Sequence, residues 1–111
     1  MDLTSKKCTA CEGGVEPFDD ATAHVYAREV PKWSVAEDYK SISREFIFKD
    51  FVTAIDFVRD VADIAEGEGH HPDIHIFYNR VRLDLSTHSI KGLSENDFIL
   101  AAKIDALPVK A

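Results

Sequence analysis

The sequence is poor in cysteine and in basic charge, and it has no long apolar run. Cys8 and Cys11 are the only cysteines among 111 residues, so stability must rest on a hydrophobic core rather than on disulfide staples. Their C-x-x-C spacing suits a redox pair or half of a zinc site. No second C-x-x-C or H-x₃-H accompanies it, and its setting is polar, which favours two plain reduced thiols. Lys and Arg number 13 against 20 Asp and Glu, giving a net charge of −7. A surface with no basic excess is repelled by a phosphate backbone, so no direct nucleic-acid partner is expected. No apolar stretch approaches the roughly 18 residues of a membrane helix, so no membrane partner is expected either. The opening MDLTSKKCTACEGG has no apolar h-region and does not read as a signal peptide, so the expected location is cytoplasmic.

What remains is an ordinary globular composition, 45% apolar and 30% charged, at the size of one domain. Residues 1–16 are polar and aperiodic and are expected to be a flexible lead-in to a single domain over 17–108. Asp19 or Asp20 caps a first helix that Pro31 ends, with Phe18, Ala21, Val25 and Ala27 as its apolar stripe. His24 lies on it without an assigned role. Trp33-Ser34-Val35 begins an extended segment, and Asp38-Tyr39-Lys40 makes a turn. SISREFIF alternates, with Ile42, Arg44, Phe46 and Phe48 on one side. Arg44 breaks that side, which puts it near a strand end or snorkelling outward. KDFVTAIDFVRDVADIAEGEG is the clearest helix. Phe51, Ile55, Val58, Ala62 and Ala65 make its stripe, Val52, Val61 and Ile64 widen it, and Gly67 and Gly69 stop it. DIHIFYN and RVRLDLSTH read as a hairpin turning at Asn79-Arg80, with Ile74, Ile76 and Tyr78 on one face. GLSENDFILAAKIDALP is the last helix, with Ser94 and Asp97 as a capping box and Pro108 closing it. The order α-β-β-α-β-β-α gives an α+β fold: a four-stranded antiparallel sheet with helices packed on one face.

Four of the five histidines fall between positions 70 and 88. His70 and His71 follow the long helix, and His88 ends the last strand. Hairpin pairing brings the start of one strand beside the end of the other, so these three histidines meet at its open end. Glu66, one turn before His70, and Asp97, in the first turn of the last helix, can join them. Imidazole gives and takes protons near neutral pH, and a carboxylate on its far nitrogen fixes the tautomer. The plain alternative is a set of polar residues at a helix–strand junction, and His75 on its strand fits that reading. A metal site of His70, His71, His88 and Glu66 is a sharper rival, although adjacent histidines rarely converge on one ion. In a loop consecutive side chains diverge, and Pro72 stiffens the backbone behind them.

The ordered set Glu66-x₃-His70-His71-Pro72-x₅-Tyr78-x₉-His88-x₈-Asp97 resembles the signature of the pterin-4a-carbinolamine dehydratases. EFIFKDF, YNRV, the STH ending of the last strand, GLSENDF and Trp33 after a proline look typical as well. The resemblance covers about residues 15–107. It implies dehydration of 4a-hydroxytetrahydrobiopterin to quinonoid dihydropterin, which restores the pterin cofactor of aromatic amino-acid hydroxylation. It implies a catalytic set of His70, His71 and His88. In that set His70 and His88 serve the 4a-hydroxyl and the ring N–H, and His71 mainly holds the pterin. Glu66, Asp97, Ser86 and Thr87 would bind or orient. The family needs no metal or organic cofactor, and its members form homodimers or homotetramers. One departure stands out: many relatives carry Asp or Asn where this chain has Gly69, a loss that Asp73 could offset. Some relatives serve instead as binding or assembly modules, such as a transcription-factor dimerisation cofactor. That is the alternative reading here.

Overall fold

The computed structural model describes residues 1–9 and 15–108. Its sheet holds β1 (Ser34–Val35), β2 (Ile42–Ile47), β3 (Asp73–Phe77) and β4 (Arg80–Leu85). The strand order is β1-β2-β4-β3, and every pairing is antiparallel. Period-two alternation sorts the side chains. Ile42, Phe46, Val81, Leu83 and Leu85 are buried, while Glu45, Ile47, His75 and Arg82 stay exposed. Ion pairs join the charges of the exposed face: Arg80 with Glu45 at 3.0 Å, and Asp84 with Arg82 at 3.0 Å and His75 at 3.1 Å.

Three helices complete the α+β order read from the sequence: α1 (Asp20–Ala27), α2 (Phe51–Glu68) and α3 (Glu95–Asp105). Helices α2 and α3 cover the apolar face of the sheet, and α1 packs on α3 and β1. Asp50 caps α2 by accepting the Thr53 N–H at 2.8 Å. The buried seam of α2 is Ala54, Phe57, Val61 and Ala65. The stripe read from sequence was rotated from this, and Phe51 and Val52 are exposed. Phe57 sets the phase, because its ring sits 4.6 Å from Phe46 and 5.0 Å from Phe48. Each such fully buried ring contributes about 1.5–3 kcal/mol. In α1 the inward residues are Ala23, Phe18, Tyr26 and Ala27, while Ala21 and Val25 stay exposed. Phe18 and Tyr26 turn that side inward by packing their rings on Phe98.

Further readings need correction. Gly67 lies inside α2; Gly69 alone ends the helix, at φ 65°. The hairpin turns at Tyr78-Asn79, with Phe77 paired to Arg80. Tyr78 therefore takes φ 53° in the turn and leaves the Ile74/Ile76 face. Arg44 is neither terminal nor snorkelling. It sits mid-strand opposite Leu83, half-buried, with its guanidinium 4.1 Å from the Phe46 ring centroid. Asp105, 2.5 Å away, neutralises it and also accepts the Trp33 Nε1–H.

The first nine residues are tied to the domain. Leu3 is buried in the core, Lys6 pairs with Glu95 at 2.9 Å, and the Cys8 N–H donates to Glu68. Cys11 and Gly13-Gly14 lie outside the described residues.

Candidate active site

Three chain segments meet at the open end of the hairpin. The end of α2 delivers His70 and His71, the chain leaving β4 delivers Ser86, Thr87 and His88, and the first turn of α3 delivers Asp97. Gly69 makes the first delivery. Its left-handed backbone redirects the chain while the His70 N–H still bonds Ala65 O at 3.2 Å. The second needs Gly92, whose backbone pairs with Thr87 and closes the loop around His88. A Cβ on Gly92 would meet Pro17 Cβ at 2.7 Å, so only glycine fits. His88 does not end the strand, as read from sequence. β4 stops at Leu85, and His88 opens a 3₁₀ turn through Ile90, exposed.

His70 Nε2 lies 2.6 Å from Asp97 Oδ1, and Asp97 is fully buried. The other carboxylate oxygen accepts from the Thr87 hydroxyl at 2.8 Å and the Ser94 N–H at 3.0 Å. The capping box that starts α3 thus also aims the carboxylate at His70. His71 turns the other way, its Nε2 2.5 Å from Glu66 in solvent. Glu66 therefore serves His71 rather than His70.

A cavity of ≈ 360 Å³ is lined by His70, His71, His88, Ser86 and Thr87, joined by Thr9, Gly69, Ser89 and Asn96. The structure gathers all three histidines predicted for the site and both hydroxyl residues. Those hydroxyls are turned to protein: Ser86 donates to Lys40 O at 2.8 Å, and Thr87 is bound to Asp97. Asp73, weighed as a substitute for the residue missing at Gly69, pairs with Asp84 in the sheet and does not line the cavity. Sequence reasoning missed Thr9 and Asn96. Thr9 belongs to an aperiodic stretch with no signal, while Asn96 could have been suspected as the neighbour of Asp97. A larger hollow of ≈ 480 Å³ at Lys32, Ser34, Ser43, Arg44, Glu45 and Arg82 contains no histidine, and its Arg44, Glu45 and Arg82 are already ion-paired.

Beside the cavity, Lys103 and then the Cys8 N–H hold the Glu68 carboxyl below its ordinary range. Burial, and then the charge of Glu68, push the Cys8 thiol up to about 12, far from thiolate chemistry. Among the described residues no three His, Cys, Asp or Glu side chains are placed to share a metal ion. His70 and His71 instead diverge toward separate carboxylates.

The family model for pterin 4 alpha carbinolamine dehydratase matches residues 16–107, and the chain belongs to that family. It is 49% identical over 107 residues to a Halorhodospira halophila protein provisionally named a pterin-4-alpha-carbinolamine dehydratase, covering 96% of this chain and 98% of that one. It is 42% identical to the mitochondrial pterin-4-alpha-carbinolamine dehydratase 2 of Arabidopsis thaliana, covering 98% of this chain and 60% of that protein. A crystal structure from Brucella melitensis, described as a transcriptional coactivator/pterin dehydratase, superposes with a TM-score of 0.77 at 35% identity. The match covers 82% of this chain and 97% of that one. No helix among the described residues is long and apolar enough to cross a membrane.

Proposed function

We propose that this chain dehydrates 4a-hydroxytetrahydrobiopterin to quinonoid dihydropterin by histidine acid–base catalysis. The observation that carries this is the buried Asp97 held on His70 at the wall of a cavity that His71 and His88 share. Hydroxide is a poor leaving group, so the C4a–O bond needs a proton delivered to its oxygen as it breaks. That oxygen leaves as water. The neighbouring ring N–H gives its proton to a base, and its electron pair forms the C=N bond. One proton is given and one taken, which suits two histidines in opposite protonation states. Asp97 facing Nε2 makes that nitrogen the donor toward the carboxylate and leaves Nδ1 of His70 for transfer. His88 is the partner on the same cavity, and His71, steadied by Glu66, holds the pterin. The balanced step calls on no metal or organic cofactor.

The same reading takes 17–108 as one domain, working in the cytoplasm as a homodimer or homotetramer. The exposed apolar side chains of Phe51, Val52, Phe77 and Tyr78 support assembly. The test is turnover of 4a-hydroxytetrahydrobiopterin generated in situ. Wild type should accelerate dehydration, and His70→Ala and His88→Ala should each lose about 10²–10⁴ of that rate. No acceleration by wild type would sink the reading. It would favour a binding module instead, which the coactivator description of the Brucella structure and the exposed start of α2 support.

A further inference from the structure

We infer that Thr9, at the end of the fastened segment Leu3–Thr9 and held by Asn96, is a wall of the pterin cavity and sets how tightly substrate is bound rather than how fast it reacts. This rests on the dehydratase reading. The segment lies outside residues 16–107, the part of the chain that the family model matches.

The segment is fastened along its length. Leu3 is buried in the core at one end. Lys6 pairs with Glu95 at 2.9 Å, and the Cys8 N–H donates to Glu68 Oε1 at 2.8 Å. At Thr9 the backbone makes two bonds to one side chain. The Thr9 N–H donates to Asn96 Oδ1 at 3.0 Å, and Asn96 Nδ2 donates to Thr9 O at 2.5 Å. Two opposed hydrogen bonds to one amide fix orientation as well as position. Thr9 and Asn96 then line the cavity beside His70, His71 and His88.

The fastening also reaches the catalytic end of α2. Glu68 takes the Cys8 N–H on one oxygen and Lys103 Nζ, at 2.8 Å, on the other. One carboxylate thereby ties the segment to α3 and to the helix turn that precedes His70. A wall held this firmly needs no ordering when ligand arrives, so its contacts contribute to affinity undiluted. The Thr9 side chain does not titrate near neutral pH as an imidazole does, so it should act on binding rather than as the acid or base. Asn96, whose amide is engaged by the Thr9 backbone, is a positioning residue acting through Thr9.

The test uses the full chain and three variants, Thr9→Trp, Thr9→Ser and Asn96→Leu. It reads kcat and KM for dehydration, and Kd for 7,8-dihydrobiopterin by calorimetry. Thr9 is exposed, so tryptophan there should leave the melting temperature unchanged. The expected result for Thr9→Trp is a rise of about tenfold or more in KM and Kd, with kcat within about twofold. Thr9→Ser and Asn96→Leu should each raise KM by less than Thr9→Trp. A Thr9→Trp protein with wild-type KM beside an active wild type overturns the wall and leaves the dehydratase reading standing. A fall in kcat at unchanged KM also overturns it, because Thr9 would then act in the chemistry. A wild type that neither binds dihydrobiopterin nor turns over overturns both.

Discussion

Two adjacent histidines each face a carboxylate at nearly one distance, His70 at 2.6 Å from Asp97 and His71 at 2.5 Å from Glu66. The first pair is 12% and 0% exposed, and the second 57% and 78%. Distance alone would call them equals; solvent separates them. An exposed pair loses most of its attraction to water and salt and is worth about 0–1 kcal/mol. A buried carboxylate keeps its field and cannot be left without partners. Hence Asp97 can hold the orientation of His70 firmly, while Glu66 can only steady His71 in solvent.

The widest gap should open in turnover. His70→Ala should lower kcat by about 10²–10⁴, whereas His71→Ala should mainly raise KM. Equal losses in kcat would erase the distinction between the pairs. In stability, Asp97→Ala strands His70 and the Ser94 N–H and removes one of two partners of the Thr87 hydroxyl, and should cost about 3–5 kcal/mol in urea denaturation. Glu66→Ala should cost less than about 1 kcal/mol in the same measurement.

The hinge that sends the two histidines apart is Gly69. A Cβ there has nothing within 4 Å, so any cost comes from the left-handed backbone alone. Gly69→Val should destabilise by about 1–2 kcal/mol in thermal melts, and Gly69→Asn by clearly less, because Asn tolerates φ above zero.

Glu68 lies between the extremes, at 12% exposure against Lys103 at 19%. Its folded-state carboxyl is held below the ordinary 4.5, so its stabilisation is full above that pH and fades as pH falls through the lower folded value. Glu68→Gln should therefore flatten the acid limb of melting temperature against pH and leave the neutral region little changed. An unchanged acid limb would show that the Glu68–Lys103 pair adds nothing to stability.

The element order and the histidine gathering were legible because each rests on a local signal: period two in SISREFIF, period 3.6 in α2, and a capping box at Ser94. The ordered residues from Glu66 to Asp97 carried the family. Less legible was whatever tertiary packing decides. The phase of α2 turned on Phe57 finding two rings of β2. Arg44 stood on an apolar face because Asp105, 61 positions away, was there to meet it. Asp97 was read as a cap and as a site residue, but its aim at His70 depends on Thr87 holding the second oxygen. Thr9 was invisible because its place is set by Asn96, 87 positions on.

Helix α3 is held by a carboxylate at each end, Asp97 reaching His70 and Asp105 reaching Arg44 and Trp33. Between them Phe98, Ile99, Leu100 and Ala101 are all buried. Such a helix has no cheap way to open by itself, so its amides should exchange with solvent only when the whole domain comes apart. The group that aims His70 then moves on the clock of global unfolding, while the Glu66 side chain, lying in solvent, can reorient with no opening of the backbone. The His70–Asp97 geometry proposed to serve proton transfer is in this sense as durable as the fold.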